Sequence, residues 1–169
     1  VKRRLGIAEK RSLPKFTPWT GLSVAKKEIK FFRPAKAIKT VCLYIDEFTQ
    51  YNDAHIAQKA TELLCKLGYE VVSVYSPSGR AFLSKGMLEE AQKAAHKTLA
   101  KLALVIGQGL PVVGLEPSGV LGFRDEYPKL VDPKYRAAAD QLNGLAQTVE
   151  EFLAGEIEDG NIRSDQFTD

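Results

Sequence analysis

With only two cysteines and two histidines in 169 residues, this chain has little of the soft-ligand and nucleophile chemistry that redox and metal centres use. Cys42 and Cys65 sit inside apolar runs and form no C-x-x-C pair, so they read as small core residues of a reducing, cytoplasmic compartment. No apolar run approaches the roughly 20 residues of a membrane span, and membrane insertion is not expected. The start has neither an initiator Met nor an apolar stretch behind its basic residues. A secretory signal is therefore not expected, and the chain reads as a piece of something longer. There is no G-x-G-x-x-G and no P-loop, so a dinucleotide or nucleoside triphosphate site gets no support.

What is present is an uneven charge. The net charge is only +3, yet residues 1–40 hold twelve Lys/Arg against two Asp/Glu, and residues 150–169 hold one against seven. Such polarity is not a nucleic-acid signal without a zinc pattern, a helix-turn-helix or an aromatic stacking repeat, and no nucleic-acid partner is expected. Residues 1–38 read instead as an extended basic arm, a linker from a preceding module, with a short helix near Thr20 to Lys30.

The domain proper, residues 39–158, alternates two periodicities. "TVCLYID" from Thr40 is short and almost continuously apolar, which suits a strand covered on both faces of a parallel sheet. A helix capped by Asp53 follows, with Ile56, Ala60, Leu63, Leu64 and Leu67 on one stripe, and Gly68 ends it. "YEVVSVY" from Tyr69 is a second strand, and a long helical stripe from Ser84 stops at Gly107 and Gly109. "LPVVGLE" from Leu110 is a third strand, and an amphipathic helix runs from about Pro133 to Leu153. Residues 159–169 form an acidic tail. Strand, helix, strand, helix, strand predicts a three-layer α/β fold, a flavodoxin-like β-α-β-α-β parallel sheet with a basic arm and a C-terminal helix.

In open parallel sheets, ligands bind where the loops leave the carboxyl ends of the strands. Here those loops are "DEFTQYND", "SPSGR" and "EPSG". Ser78, Gly79, Arg80, Glu116, Ser118 and Arg124 are the ligand-binding candidates they bring to one edge. Gly79 permits positive φ, and Arg80 offers a planar donor fork suited to carboxylate or phosphate. A small anion is one reading; the other has Arg80 pairing with Glu47 or Glu116 and tying the loops together. A hard-metal site on Asp46, Glu47 and Glu116 is the weakest reading. His55 and His96 lie on helices rather than in these loops, so no nucleophile–base pair emerges and no catalytic residue is assigned.

The stretches "LYIDEFTQYND", "SGRAFLSKGMLEEA" and "VGLEPSGVLGFRDEYP" resemble the first repeat of the cysteine-rich CCG domain. That domain occurs in heterodisulfide reductase, in the small subunit of anaerobic glycerol-3-phosphate dehydrogenase, and in FAD-linked oxidases of the D-lactate and glycolate dehydrogenase type. "LGIAEKRSLPKF" likewise resembles the linker that joins a ferredoxin-like iron–sulfur module to that region. The family's cluster cysteines fall at Glu47, Pro77, Ser78 and Gly119 of this sequence, and none is a thiol. A carboxylate, an imino-acid ring, a hydroxyl and a glycine leave no soft ligand set for iron–sulfur.

The resemblance therefore implies a non-catalytic, cluster-free module of a larger oxidoreductase acting on a 2-hydroxy acid. It implies no cofactor and no metal in this segment, with FAD and iron–sulfur clusters elsewhere in the parent. The implied partners are other modules of the same polypeptide: the flavin domain, the ferredoxin-like module and a second CCG repeat. Peripheral association of the parent with a membrane is part of the same implication. Gly79 is then expected to shape the turn, Ser84 to cap the long helix and "FRDEYP" to dock.

Overall fold

A computed structural model describes residues 2–8 and 10–167. Val1 and Glu9 of the expected arm, and Thr168 and Asp169 of the expected tail, lie outside the described residues. The elements run α1 (Gly21–Phe32), β1 (Thr40–Ile45), α2 (Glu47–Tyr51), α3 (Ala54–Lys66), β2 (Glu70–Tyr75), α4 (Arg80–Leu83) and α5 (Leu88–Gly107). They continue with β3 (Val112–Gly114), α6 (Pro117–Asp125), α7 (Tyr127–Leu130), α8 (Pro133–Leu145), β4 (Ala146–Thr148) and α9 (Val149–Glu158). Short 3-10 turns stand at Lys2–Leu5 and Ser164–Phe167.

The four strands form one parallel sheet in the order β2-β1-β3-β4, which is the expected α/β architecture. β1 is central and Val41 to Ile45 are fully buried, because helices cover both faces of the sheet. Side chains alternate across the pleat. Cys42, Tyr44 and Val112 face a core completed by α5, α6 and α8; Val41, Leu43, Ile45 and Val113 face one completed by α1, α3 and α9. Gly114 ends β3 where a β-carbon would lie 2.0 Å from the Val120 side chain, so the close approach of α6 to the sheet requires glycine.

The two sequence cysteines are core residues as expected. Cys42 is fully buried and burial pushes its thiol up to about 12; Cys65 is 3% exposed and its thiol is pushed up to about 11, by burial and then by Glu28. Both are free.

The structure differs from the sequence reading in three places. The helix expected from Pro133 to Leu153 is broken: Ala146 adopts extended backbone, and Ala146–Thr148 pairs with Val112–Gly114 as a fourth strand. Thr148 then starts α9 through a capping box with Glu151, a T-x-x-E signal that the continuous apolar stripe concealed. Ser84 does not cap the long helix. It closes α4, donating from its hydroxyl to Ala81 O at 3.1 Å, and α5 begins at Leu88 after Met87, without a side-chain cap. Asp53 stands at the N-cap of α3 but its side chain makes no capping bond, whereas Asp46 caps α2 by accepting from Phe48 N and Thr49 N.

The short helix expected in the basic arm forms as α1, and its inner face, Ala25 above all, is packed against α3. At the other end Ile162 returns to the same core. Glu156, 5% exposed, ties these parts down by accepting from Lys39 Nζ at 2.5 Å, Tyr69 Oη at 2.7 Å and Asn161 Nδ2 at 3.0 Å.

Candidate functional site

In the order β2-β1-β3-β4 the connection after β1 runs to one side and the chain later crosses back to β3, so the switch point lies between β1 and β3. The segments leaving β1, β2 and β3 meet at that end, and they bring the four cluster-position residues of the CCG resemblance into one small volume. Glu47, the first residue of α2, accepts from Ser78 N at 2.7 Å and from Ser78 Oγ at 3.0 Å. Gly119, in the first turn of α6, faces the same serine: a β-carbon there would lie 3.4 Å from Ser78 Cβ and 3.8 Å from Ser78 Oγ. Pro77 precedes Ser78 in the loop after β2.

This loop is hydrogen-bonded on nearly every side. Tyr44 donates to Ser76 O at 2.6 Å, and Tyr127 donates to Ser78 O at 2.9 Å. Thr98 Oγ1, from α5, lies 2.8 Å from Ser76 Oγ and 3.1 Å from Pro77 O. Ser76 and Ser78 are both buried, so each of these bonds replaces one the loop would otherwise have made to water. Burial raises the Tyr44 hydroxyl well above its ordinary pKa, with Tyr127 and Glu47 adding to the shift; burial raises Tyr127 likewise, opposed by its hydrogen bond with Thr98. Both phenols thus stay protonated donors at neutral pH.

The ligand candidates separate into distinct roles. Gly79 has φ +79°, a left-handed conformation that lets the chain turn from β2 into α4, and a β-carbon there would press on Ala94 of α5 at 3.2 Å. Arg80 donates its backbone N–H to Ser78 Oγ and its Nη1 to Glu126 at 2.6 Å. The partner anticipated for it was Glu47 or Glu116; a loop-tying ion pair does form, but Glu126 closes it, because Glu47 is already engaged with Ser78. Glu116 caps α6, its Oε1 accepting from Ser118 N at 3.2 Å and Ser118 Oγ at 2.6 Å.

Arg124 points away from the strand-end cluster. It donates from Nε to Ala146 O at 2.9 Å and from Nη1 to Glu151 at 3.0 Å, with a second short contact from Nη2 to the same carboxylate. The guanidinium holds the Glu151 carboxyl below its usual range, helped by the Thr148 backbone. Asp46 is occupied with Phe48 N, Thr49 N and Thr49 Oγ1. Among the described residues, no group of three or more His, Cys, Asp or Glu is placed to hold a metal ion.

Sequence reasoning did not anticipate the roles of Tyr44, Thr98 and Tyr127. Each looks like an ordinary core residue on its own element, and only the tertiary packing aims its hydroxyl at the loop.

The chain is 35% identical over 102 residues to D-2-hydroxyglutarate dehydrogenase of Escherichia coli, a match covering 60% of this chain and 10% of that protein. It is 31% identical over 111 residues to the protein of the same name from Pantoea ananatis, covering 65% of this chain and 11% of that one. A third D-2-hydroxyglutarate dehydrogenase, from Haemophilus influenzae, is 33% identical over 90 residues, 53% of this chain and 9% of that protein. The chain thus spans only about a tenth of the curated relatives it matches. No family model matches the chain, and no solved structure matches it significantly.

Proposed function

We propose that this chain is a cluster-free, CCG-like α/β module of a larger FAD-linked and iron–sulfur dehydrogenase acting on a D-2-hydroxy acid of the 2-hydroxyglutarate kind, and that it serves there as scaffold and docking surface. Three relatives named for that activity, each matched over about a tenth of its length, support the parent. The observation that carries the module's role is the pairing of Glu47 with Ser78, facing Gly119, at the convergence of three strand ends. Three polypeptide segments come together as a ligand cage would need, yet the groups that meet are a carboxylate, a hydroxyl and a backbone N–H. These bond to one another. They offer iron no thiolate.

The anion-binding reading requires a ligand to displace Glu47 from Ser78, and Arg80 and Arg124 to leave Glu126 and Glu151. The observed contacts therefore favour the scaffold. Iron and acid-labile sulfide in the chain, purified without oxygen and again after reconstitution, test the reading. Near-zero values are expected; stoichiometric iron and sulfide would overturn it.

A further inference from the structure

The surface of α1 along its seam with α3 has the composition of an interface. Phe31 is 80% exposed and Trp19, just before the helix, is 52% exposed. Two clefts run along this face and share Lys27. One, of about 450 Å³, is lined by Lys27, Glu28, Lys30, Phe31 and Phe32; the other, of about 420 Å³, by Trp19, Ser23, Val24, Lys27 and Gln58. The one carboxylate among these lining residues is turned inward: Glu28 is 7% exposed and accepts from Gln58 Nε2 at 2.8 Å. Lys27 and Lys30 are exposed and have no ion partner among the described residues. Lys66 borders the first cleft, its Nζ 5.0 Å from the Phe32 ring centre, but its charge is already paired with Glu62 at 2.7 Å, so Lys27 and Lys30 supply the unpaired charge.

Exposed aromatics bordered by unpaired charge of one sign are costly to leave in water and mark a contact surface. A positive rim selects an acidic partner, and concave apolar clefts fit protruding side chains better than a flat lipid surface does. Relatives about six times as long as this chain, since one match covers 60% of this chain and 10% of that protein, supply a source for such a partner.

We propose that this face of α1 docks an acidic, amphipathic segment from another module of the same polypeptide. An apolar side chain of that segment enters the cleft at Phe31 and Phe32, and its carboxylates meet Lys27 and Lys30. The proposal rests on the reading of the chain as one module of a longer dehydrogenase.

The test uses the whole gene-encoded polypeptide and reads lysine acylation by mass spectrometry, together with zero-length carbodiimide cross-linking. Lys93 and Lys97, exposed on α5 in the other helix layer, are internal controls. Lys27 and Lys30 are expected to react severalfold more slowly than the controls and to cross-link to a segment rich in Asp and Glu. In the K27E/K30E variant those cross-links are lost, and in F31A they weaken. Acylation of Lys27 and Lys30 as fast as of the controls overturns the proposal. Protection that appears only with phosphatidylserine vesicles overturns it too, since lipid would then be the occupant. Flavin absorbance separates the two readings: a flavin-bearing polypeptide with reactive Lys27 and Lys30 refutes the docking alone, whereas absence of flavin overturns the parent reading and this proposal with it.

Discussion

A carboxylate that accepts both the backbone N–H and the hydroxyl of one serine holds the place of a bound anion, and Glu47 does this for Ser78. Removing it leaves the Ser78 N–H without a partner in a largely buried loop. Glu47→Ala is expected to destabilise the chain by about 1–3 kcal/mol, the usual cost of an orphaned buried donor. Urea unfolding measures this, and formate at tens of millimolar should recover part of the loss by refilling the vacated position. A variant as stable as the parent protein would show that the pair contributes nothing. Glu47 was visible in the sequence as an oddity, a carboxylate where the resembled family carries a thiol. Its pairing with Ser78 was not visible, because the two residues are 31 positions apart and meet only when β1 and β2 are side by side.

Among the elements, β4 and α9 depend on a single capped turn. Thr148 accepts from Glu151 N while the Glu151 side chain accepts from Thr148 N, and Arg124 reaches across from α6 to the same carboxylate and to Ala146 O. Thr148→Ala removes half of the box. It is expected to cost about 1 kcal/mol, within the range for lost N-caps, and to raise hydrogen exchange in Ala146–Glu158 before it does so in β1. Uniform exchange across the molecule would contradict that placement. The long stripe from Tyr135 to Leu153 suggested one helix, since each half places its apolar residues with helical spacing. Three residues of edge strand are too few to announce themselves by alternation, and what selects them is a free hydrogen-bonding edge on β3.

For the whole molecule, burial of Tyr44 and Tyr127 sets a limit at alkaline pH. Both phenols titrate higher in the folded chain than the ordinary tyrosine value of about 10. The folded state therefore holds protons that the unfolded chain releases above that value. The associated stability is complete below about pH 10 and falls as the pH rises beyond it. Melting temperatures by circular dichroism are expected to be level from pH 7 to 9 as far as these groups are concerned and to fall above about 10. Tyr127→Phe should lessen the alkaline fall while lowering stability at neutral pH through loss of the bond to Ser78 O. An unchanged alkaline fall in that variant would remove Tyr127 from the account.

The sequence by itself determined the first three strands with the helices α3 and α5 between them, the burial of Cys42 and Cys65, and the absence of thiols at the strand-end positions. These are local properties, carried by periodicity and residue identity, and they hold wherever the elements come to rest. The tertiary structure alone decided that Glu126 rather than Glu47 or Glu116 pairs with Arg80, that Arg124 serves β4 and α9, and that Tyr44, Thr98 and Tyr127 fasten the loop after β2. Hydrogen bonds and ion pairs act over a few ångströms. Which groups come that close is set by strand order and helix packing, long-range properties that no short stretch of the chain contains.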